Sequence, residues 1–253
     1  MTRSVVLPAG EPLGFPKCAK CPYRRTGPAR ICVACASRTL EPIEPGACPV
    51  CSQMLGADGV CPNWLCSDPR RRIERIDAIA YLSGALQTRI HRYKYDGKTA
   101  WALIFGRLLV GWLEAHASAD PPDLIVANPS FIEARAAGLS HVERIVNAAA
   151  VADVDERWEF DVVNDDPAVI KTGPTEKSAG RTAAAKRAAA AKLRDLLEIP
   201  DRSVTEGRKI LIFDDVCTTG SQLDAVADCL LEEGRAAEVR ALVLARAPWR
   251  PKR

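Results

Sequence analysis

The chain has 253 residues, 47% hydrophobic and 26% charged, enough to bury a sizeable core in one or two domains. That apolar fraction excludes a disordered tail, and 16 Gly with 18 Pro exclude a collagen-like or linker-dominated chain. The net charge of +3 is uneven: residues 1–72 carry +5, residues 73–253 carry −2, and the short segment 171–194 carries +6. Local basic charge of this kind suits phosphate handling better than a whole nucleic-acid-binding face. No run of roughly 18 apolar residues occurs, so no membrane span is expected. The opening MTRSVVLPAGEPLGF is too short in its apolar part for a signal peptide, and a cytoplasmic location is expected.

Ten cysteines divide the chain, and eight of them lie before residue 67. They read Cys18-x2-Cys21-x10-Cys32-x2-Cys35, then Cys48-x2-Cys51-x9-Cys61-x4-Cys66. A CxxC turn delivers two thiolates from one knuckle, and two knuckles about ten residues apart complete a tetrahedral zinc site. One or two structural zinc ions are therefore expected, with Cys18, Cys21, Cys32 and Cys35 as one set and Cys48, Cys51, Cys61 and Cys66 as the other. A cross-brace, in which Cys18 and Cys21 share a metal with Cys48 and Cys51, fits the spacing too. A disulfide framework would need an exported chain, and no export signal is evident. Four cysteines leave no open ligand position, so the module reads as a structural staple whose folding is coupled to metal binding. The boundary falls at Arg70-Arg71-Arg72, giving a cysteine-rich module over 1–72 and a second domain over 73–253. Cys229 reads as a small apolar core residue of a helix, and Cys217 as a position that asks little of its side chain.

Residues 76–82 (IDAIAYL) predict a strand, and 99–117 a strongly apolar helix with Trp101, Leu103, Ile104, Leu108 and Leu109 on its buried side. Residues 123–127 (DLIVA), ended by Asn128-Pro129, predict a buried parallel strand. A helix follows over 139–152, and His141 near its start reads as a capping or surface residue rather than a catalytic one. Residues 159–170 predict a strand or two, interrupted by Asn164-Asp165-Asp166-Pro167. From Thr175 to Leu197 the chain reads as a basic loop running into a helix. A strand over 208–213, a helix over 221–233 and a strand over 239–245 complete an α/β pattern with a mostly parallel sheet.

The most informative stretch is Ile210-Leu211-Ile212-Phe213-Asp214-Asp215-Val216-Cys217-Thr218-Thr219-Gly220-Ser221. An apolar strand runs into two acids, a hydroxyl- and glycine-rich turn and then an amphipathic helix. Backbone N–H groups, threonine hydroxyls and the positive helix end converge there, which suits a phosphate monoester. Gly220 lets the backbone approach the anion closely. Asp214 and Asp215 repel phosphate and call for a hydroxylated or cationic neighbour. A ribose carrying its own 5′-phosphate satisfies both halves.

This stretch resembles the phosphoribosyl-pyrophosphate (PRPP) signature of type I phosphoribosyltransferases, and further segments resemble the competence-protein ComF family. RYKYDGKTAWALIFGRLL (92–109) is similar to that family's KY-x-G segment and following helix, and GRKILIFDDVCTTGSQLDAVADCLLEEG (207–234) is similar throughout. Ala127-Asn128-Pro129 stands where the family has Pro-Val-Pro. Ala137-Gly138-Leu139-Ser140-His141 stands for Arg-Gly-Phe-Asn-Gln, so the sequence departs from the family on the pyrophosphate side. The resemblance implies an α/β fold: an open, mostly parallel sheet with helices on both faces, plus a small zinc-ribbon-like N-terminal module.

It also implies roles. Val216, Cys217, Thr218, Thr219, Gly220 and Ser221 would hold the ribose 5-phosphate and Asn128 would stand toward the pyrophosphate. Asp214 and Asp215 would fix the ribose, with Mg²⁺ bridging pyrophosphate and ribose hydroxyls. Lys177, in a basic segment with Lys171 and Arg181, would close over the site as a third catalytic residue, or simply belong to a solvated helix face. Two functions follow. One is a Mg²⁺-dependent phosphoribosyltransferase of open acceptor. The other is an accessory protein in DNA uptake or repair that binds PRPP or a nucleotide without turnover, with single-stranded DNA or DNA-processing proteins as partners. For the latter, Tyr23 and Trp64 of the cysteine module offer aromatic faces for base stacking.

Overall fold

The computed structural model describes residues 40–131, 138–162, 167–175 and 183–249. Cys18, Cys21, Cys32, Cys35, Tyr23, Lys177 and Arg181 lie outside the described residues.

Four parallel strands form the central sheet: β1 (Ile76–Tyr81), β2 (Leu124–Ala127), β5 (Lys209–Cys217) and β6 (Glu238–Arg246), in the order β1-β6-β5-β2. Side chains alternate across a strand, and here both faces are apolar, as a parallel sheet covered on each side requires. Ile125, Leu211, Phe213, Leu242 and Leu244 face α1 (Gly84–Tyr95), α2 (Trp101–His116) and α3 (His141–Ala152). Ile210, Ile212, Ala241 and Val243 share a second cluster with Leu193 of α4 (Ala183–Arg194) and with Leu223, Val226 and Leu230 of α5 (Ser221–Glu232). The expected open parallel sheet with helices on both faces is the observed architecture.

Helix α2 carries Phe105, Val110 and Leu113 in the core as well, while Leu103 is only half-buried. It crosses α3 closely because Gly106 has no side chain. A Cβ there would meet the backbone of Ala149 at 2.6 Å and of Ala148 at 2.7 Å. Helix α3 opens with a capping box between Ser140 and Glu143.

Three differences from the sequence reading have physical causes. Helix α1 was not foreseen, because only Leu86, Ile90 and Tyr93 of its twelve residues are buried in an otherwise polar segment. Among the described residues of 159–170 there is one parallel bridge, Phe160 to Ile125, and a two-residue β3 (Ile170–Lys171) paired with β4 (Leu197–Glu198). Strand β5 runs to Cys217 rather than stopping at Phe213, so both acids stand on the strand, held in register against β6.

Residues 48–66 do not stand apart from the sheet. Ile76 N–H donates to the Val50 carbonyl at 2.8 Å, Ser52 Oγ donates to the Ile76 carbonyl at 3.0 Å, and Leu65 and Ile73 join the α4/α5-side core.

Candidate functional site

The carboxyl end of β5, the following loop and the start of α5 build the centre of the site. Gly220 takes φ +84° at the N-cap of α5, a left-handed conformation that costs a residue with a Cβ about 1–2 kcal/mol. No side chain caps this helix, so its first-turn N–H groups are left for an anion. Thr219 Oγ1 and Ser221 Oγ lie 2.9 Å apart beside them. A hollow of about 50 Å³ is bounded here by Asp214, Val216–Leu223, and Ala189 and Ala190 of α4, a size for one small anionic group.

The hollow adjoins a larger chamber of about 380 Å³, with Asp214, Val216 and Gln222 bordering both. Lys94, Asn128, Phe131, His141, Lys171 and Asp215 complete much of its wall. A small anion pocket opening into a roomier cleft fits a phosphorylated sugar with further groups attached.

The acidic pair divides its work. Asp215 is 3% exposed and forms an ion pair with Lys94 Nζ at 2.7 Å, so its cationic partner belongs to the protein. Asp214 accepts from Asn128 Nδ2 at 2.9 Å and from the Asp215 N–H at 2.8 Å. Burial and the neighbouring Asp215 carboxylate push Asp214 up from an ordinary 3.8 to about 7. Lys171, donating to Thr175 Oγ1 at 2.6 Å, has its ammonium pushed down by burial.

His141 has a structural partner set. Its Nε2 lies 3.0 Å from the Lys94 carbonyl, and its own carbonyl accepts from Tyr93 Oη at 2.6 Å, tying the end of α1 to the start of α3. Trp64 is not a bare aromatic face, since the Arg187 guanidinium lies 4.2 Å from its ring centroid.

Behind the loop sit the second four cysteines. The Sγ atoms of Cys48, Cys51, Cys61 and Cys66 all lie within 4.8 Å of one another. Three pairs are 3.7–3.8 Å apart: Cys48 with Cys66, Cys51 with Cys61, and Cys61 with Cys66. Four thiolates about 2.3 Å from a tetrahedral zinc would stand about 3.8 Å from each other, whereas a disulfide needs about 2.05 Å. The donor set fits zinc. Cys48 and Cys51 thus gather with Cys61 and Cys66, the second set, rather than in the cross-brace.

Two residues that sequence reasoning passed over join this centre to the loop. Asn63, between Cys61 and Cys66, donates from Nδ2 to the Thr219 carbonyl at 2.9 Å. Arg246, fully buried at the end of β6, donates from Nη1 to the Cys217 carbonyl at 3.0 Å and also to the Thr218 carbonyl. Its Nη2 lies 3.5 Å from Cys51 Sγ. Cys217, read as an undemanding position, is instead 3% exposed with Sγ 3.2 Å from Arg246 Nη1, and burial pushes its thiol up to about 11. The one available signal was an arginine at the carboxyl end of the apolar run VRALVLAR, where such sheets bind ligands.

A search of curated proteins finds no match. Among solved structures, one described as "structure of the allosteric regulatory enzyme of purine biosynthesis" matches at 17% identity and a TM-score of 0.33, over 57% of this chain and 26% of that one. The chain therefore spans about a quarter of the length of that structure's chain. Residues 162–253, which hold β5, the loop, α5 and β6, match the model of the phosphoribosyl transferase domain, and the segment that builds the anion pocket is similar to that family.

Proposed function

We propose that the protein is a Mg²⁺-dependent phosphoribosyltransferase that binds PRPP, with the 5′-phosphate in the small hollow and the ribose and pyrophosphate in the adjoining chamber. The observation that carries this reading is the uncapped start of α5 behind left-handed Gly220, set directly beside Asp214. Thr218, Thr219, Gly220 and Ser221 hold the phosphate. Asp214 takes the ribose hydroxyls, since Asp215 is already paired with Lys94. Mg²⁺, when bound, would supply positive charge for the pyrophosphate, and Asp214, which accepts from Asn128 and the Asp215 N–H rather than pairing with Lys94, would be the carboxylate to help hold it. Lys94, Asn128 and Lys171 line the chamber where pyrophosphate would lie. Holding the donor rigidly and excluding water are then what the protein contributes to ribosyl transfer. We assign structural zinc to Cys48, Cys51, Cys61 and Cys66 on their donor chemistry and spacing. A second zinc at Cys18, Cys21, Cys32 and Cys35 follows from spacing alone.

Among the described residues no helix is long and apolar enough to cross a membrane. Calorimetry with PRPP and Mg²⁺, followed by a pyrophosphate-release screen across purines, pyrimidines and amines, tests the reading. Binding with release assigns a transferase and names its acceptor class. Binding without release, joined to salt-sensitive binding of single-stranded DNA by the full chain, favours the accessory role in DNA handling. Absence of PRPP binding overturns the transferase, and absence of nucleotide binding as well overturns the accessory role.

A further inference from the structure

The knuckle that closes the four-cysteine centre is also the part of the chain that touches the phosphate loop. Around Cys66 the chain makes a short 3-10 turn, Trp64–Ser67, whose cap is Asn63. Asn63 uses Oδ1 to accept from the Leu65 N–H and Nδ2 to donate to the Thr219 carbonyl. Leu65, 2% exposed, lies so close to Gly220 that a Cβ on that glycine would stand 3.2 Å from Leu65 Cδ2. From the other knuckle, Cys51 meets Arg246, and Arg246 holds the carbonyls of Cys217 and Thr218. Gln53, two residues on, donates to the Ala247 carbonyl at 3.1 Å and accepts from the Trp249 N–H at 3.0 Å, so the strand end carrying Arg246 is anchored to the same knuckle.

Every residue of the loop from Cys217 to Gly220 is therefore braced from behind by this centre. Carbonyls held on the rear leave the N–H groups turned toward the hollow. The bracing depends on the two knuckles being clamped together, because the only regular structure in Cys61–Cys66 is part of the single 3-10 turn Trp64–Ser67, too short to keep Asn63 and Leu65 in place alone.

We propose that the Cys48/Cys51/Cys61/Cys66 centre is a working part of the phosphate site. With zinc bound it presents Asn63, Leu65 and the Cys51–Arg246 contact to Thr218–Gly220 and fixes the loop in its anion-binding shape. Zinc and ribose phosphate then raise each other's affinity by one common factor, as linkage requires. Asn63 and Arg246 are positioning residues in this scheme, and the ligand's identity rests on the reading above.

The test uses full-length zinc-loaded protein. Hydrogen exchange at the amides of residues 217–221 is compared before and after zinc removal under reducing conditions, with α3 as the internal control. Exchange in the loop should rise tenfold or more while α3 stays protected. PRPP with Mg²⁺ should slow zinc transfer to a zinc-selective dye, and zinc should raise PRPP affinity by a matching factor of about ten. Asn63→Ser, too short to reach Thr219, should keep its zinc yet lose about tenfold in PRPP affinity. Should zinc removal unfold the chain, this zinc-retaining variant decides. Unchanged loop exchange and unchanged PRPP affinity in Asn63→Ser, or in a folded zinc-free protein, overturn the proposal. A loop whose exchange follows zinc in a protein that binds no PRPP upholds the coupling and overturns only the choice of ligand.

Discussion

Lys94 and Asp215 form an ion pair at 2.7 Å, the lysine on the last turn of α1 and the acid on β5, 121 residues apart. The Asp215 side chain is 5% exposed and that of Lys94 25%. Removing one member of such a pair leaves the other charge buried without a partner, which costs more than the pair contributes. Lys94→Met should lower unfolding free energy by about 3 kcal/mol at neutral pH, the smaller end of the usual range because Lys94 keeps some solvent. Adding Asp215→Asn to it should recover most of the loss. Urea denaturation of the two single variants and the double variant measures the coupling.

Asp214 predicts a pH signature. Its folded-state value is raised from 3.8 to about 7, so between those values the folded chain holds a proton that the unfolded chain has released. Stability from this group is therefore greatest at low pH and is lost as pH rises through about 7. Relative to the wild type, Asp214→Asn should gain melting temperature steadily from pH 4 to 7 and level off above. In the wild type, Mg²⁺-dependent PRPP binding should strengthen across the same upper limb, because on the proposed reading the charged carboxylate is the form that would hold the metal and the ribose.

Thr219→Val removes a hydroxyl from the anion hollow while keeping its shape. PRPP affinity should fall about ten- to a hundredfold, the usual loss for a hydrogen bond to a charged acceptor. Free ribose 5-phosphate should lose the same factor, since both ligands carry that phosphate. Titration calorimetry with each ligand gives the comparison.

Gly220→Ala should harm both stability and binding. A left-handed backbone is strained for alanine, and the new Cβ would fall on Ile76 Cδ1. Together these should cost about 2–3 kcal/mol in chemical denaturation. Ribose 5-phosphate binding should weaken alongside, because relief of the clash moves the first turn of α5.

Gly106→Ala tests the fold without touching the site. Alanine gains about 1 kcal/mol in helix propensity, but its Cβ would strike the backbone of Ala148 and Ala149, which cannot rotate away. The crossing of α2 and α3 must open, so a net loss of about 1–2 kcal/mol is expected in thermal or urea unfolding. Zinc content should be unchanged by metal analysis.

The parts of this protein legible in its sequence are those whose interactions are local. Strand β5, its loop and α5 are contiguous, and their apolar run, glycine and i, i+3, i+4 pattern announce a strand–turn–helix without reference to anything distant. The same holds for α2 and for the CxxC spacing of Cys48 and Cys51. Helix α1 escaped notice because three buried residues in twelve give too thin a stripe, and its burial depends on tertiary contacts such as Tyr93 against Phe105 of α2. The site's supporting contacts were beyond local reasoning altogether. Asn63 and Thr219 are 156 residues apart, and Arg246 and Cys51 are 195 apart. Only the strand order β1-β6-β5-β2 brings the carboxyl ends of β5 and β6 together over the cysteine knuckles. Sequence determined which residues could bind a phosphate and which a metal. That the four cysteines stand directly behind the Cys217–Gly220 loop was decided by the tertiary structure, because hydrogen bonds across such separations exist only once the sheet has set its neighbours.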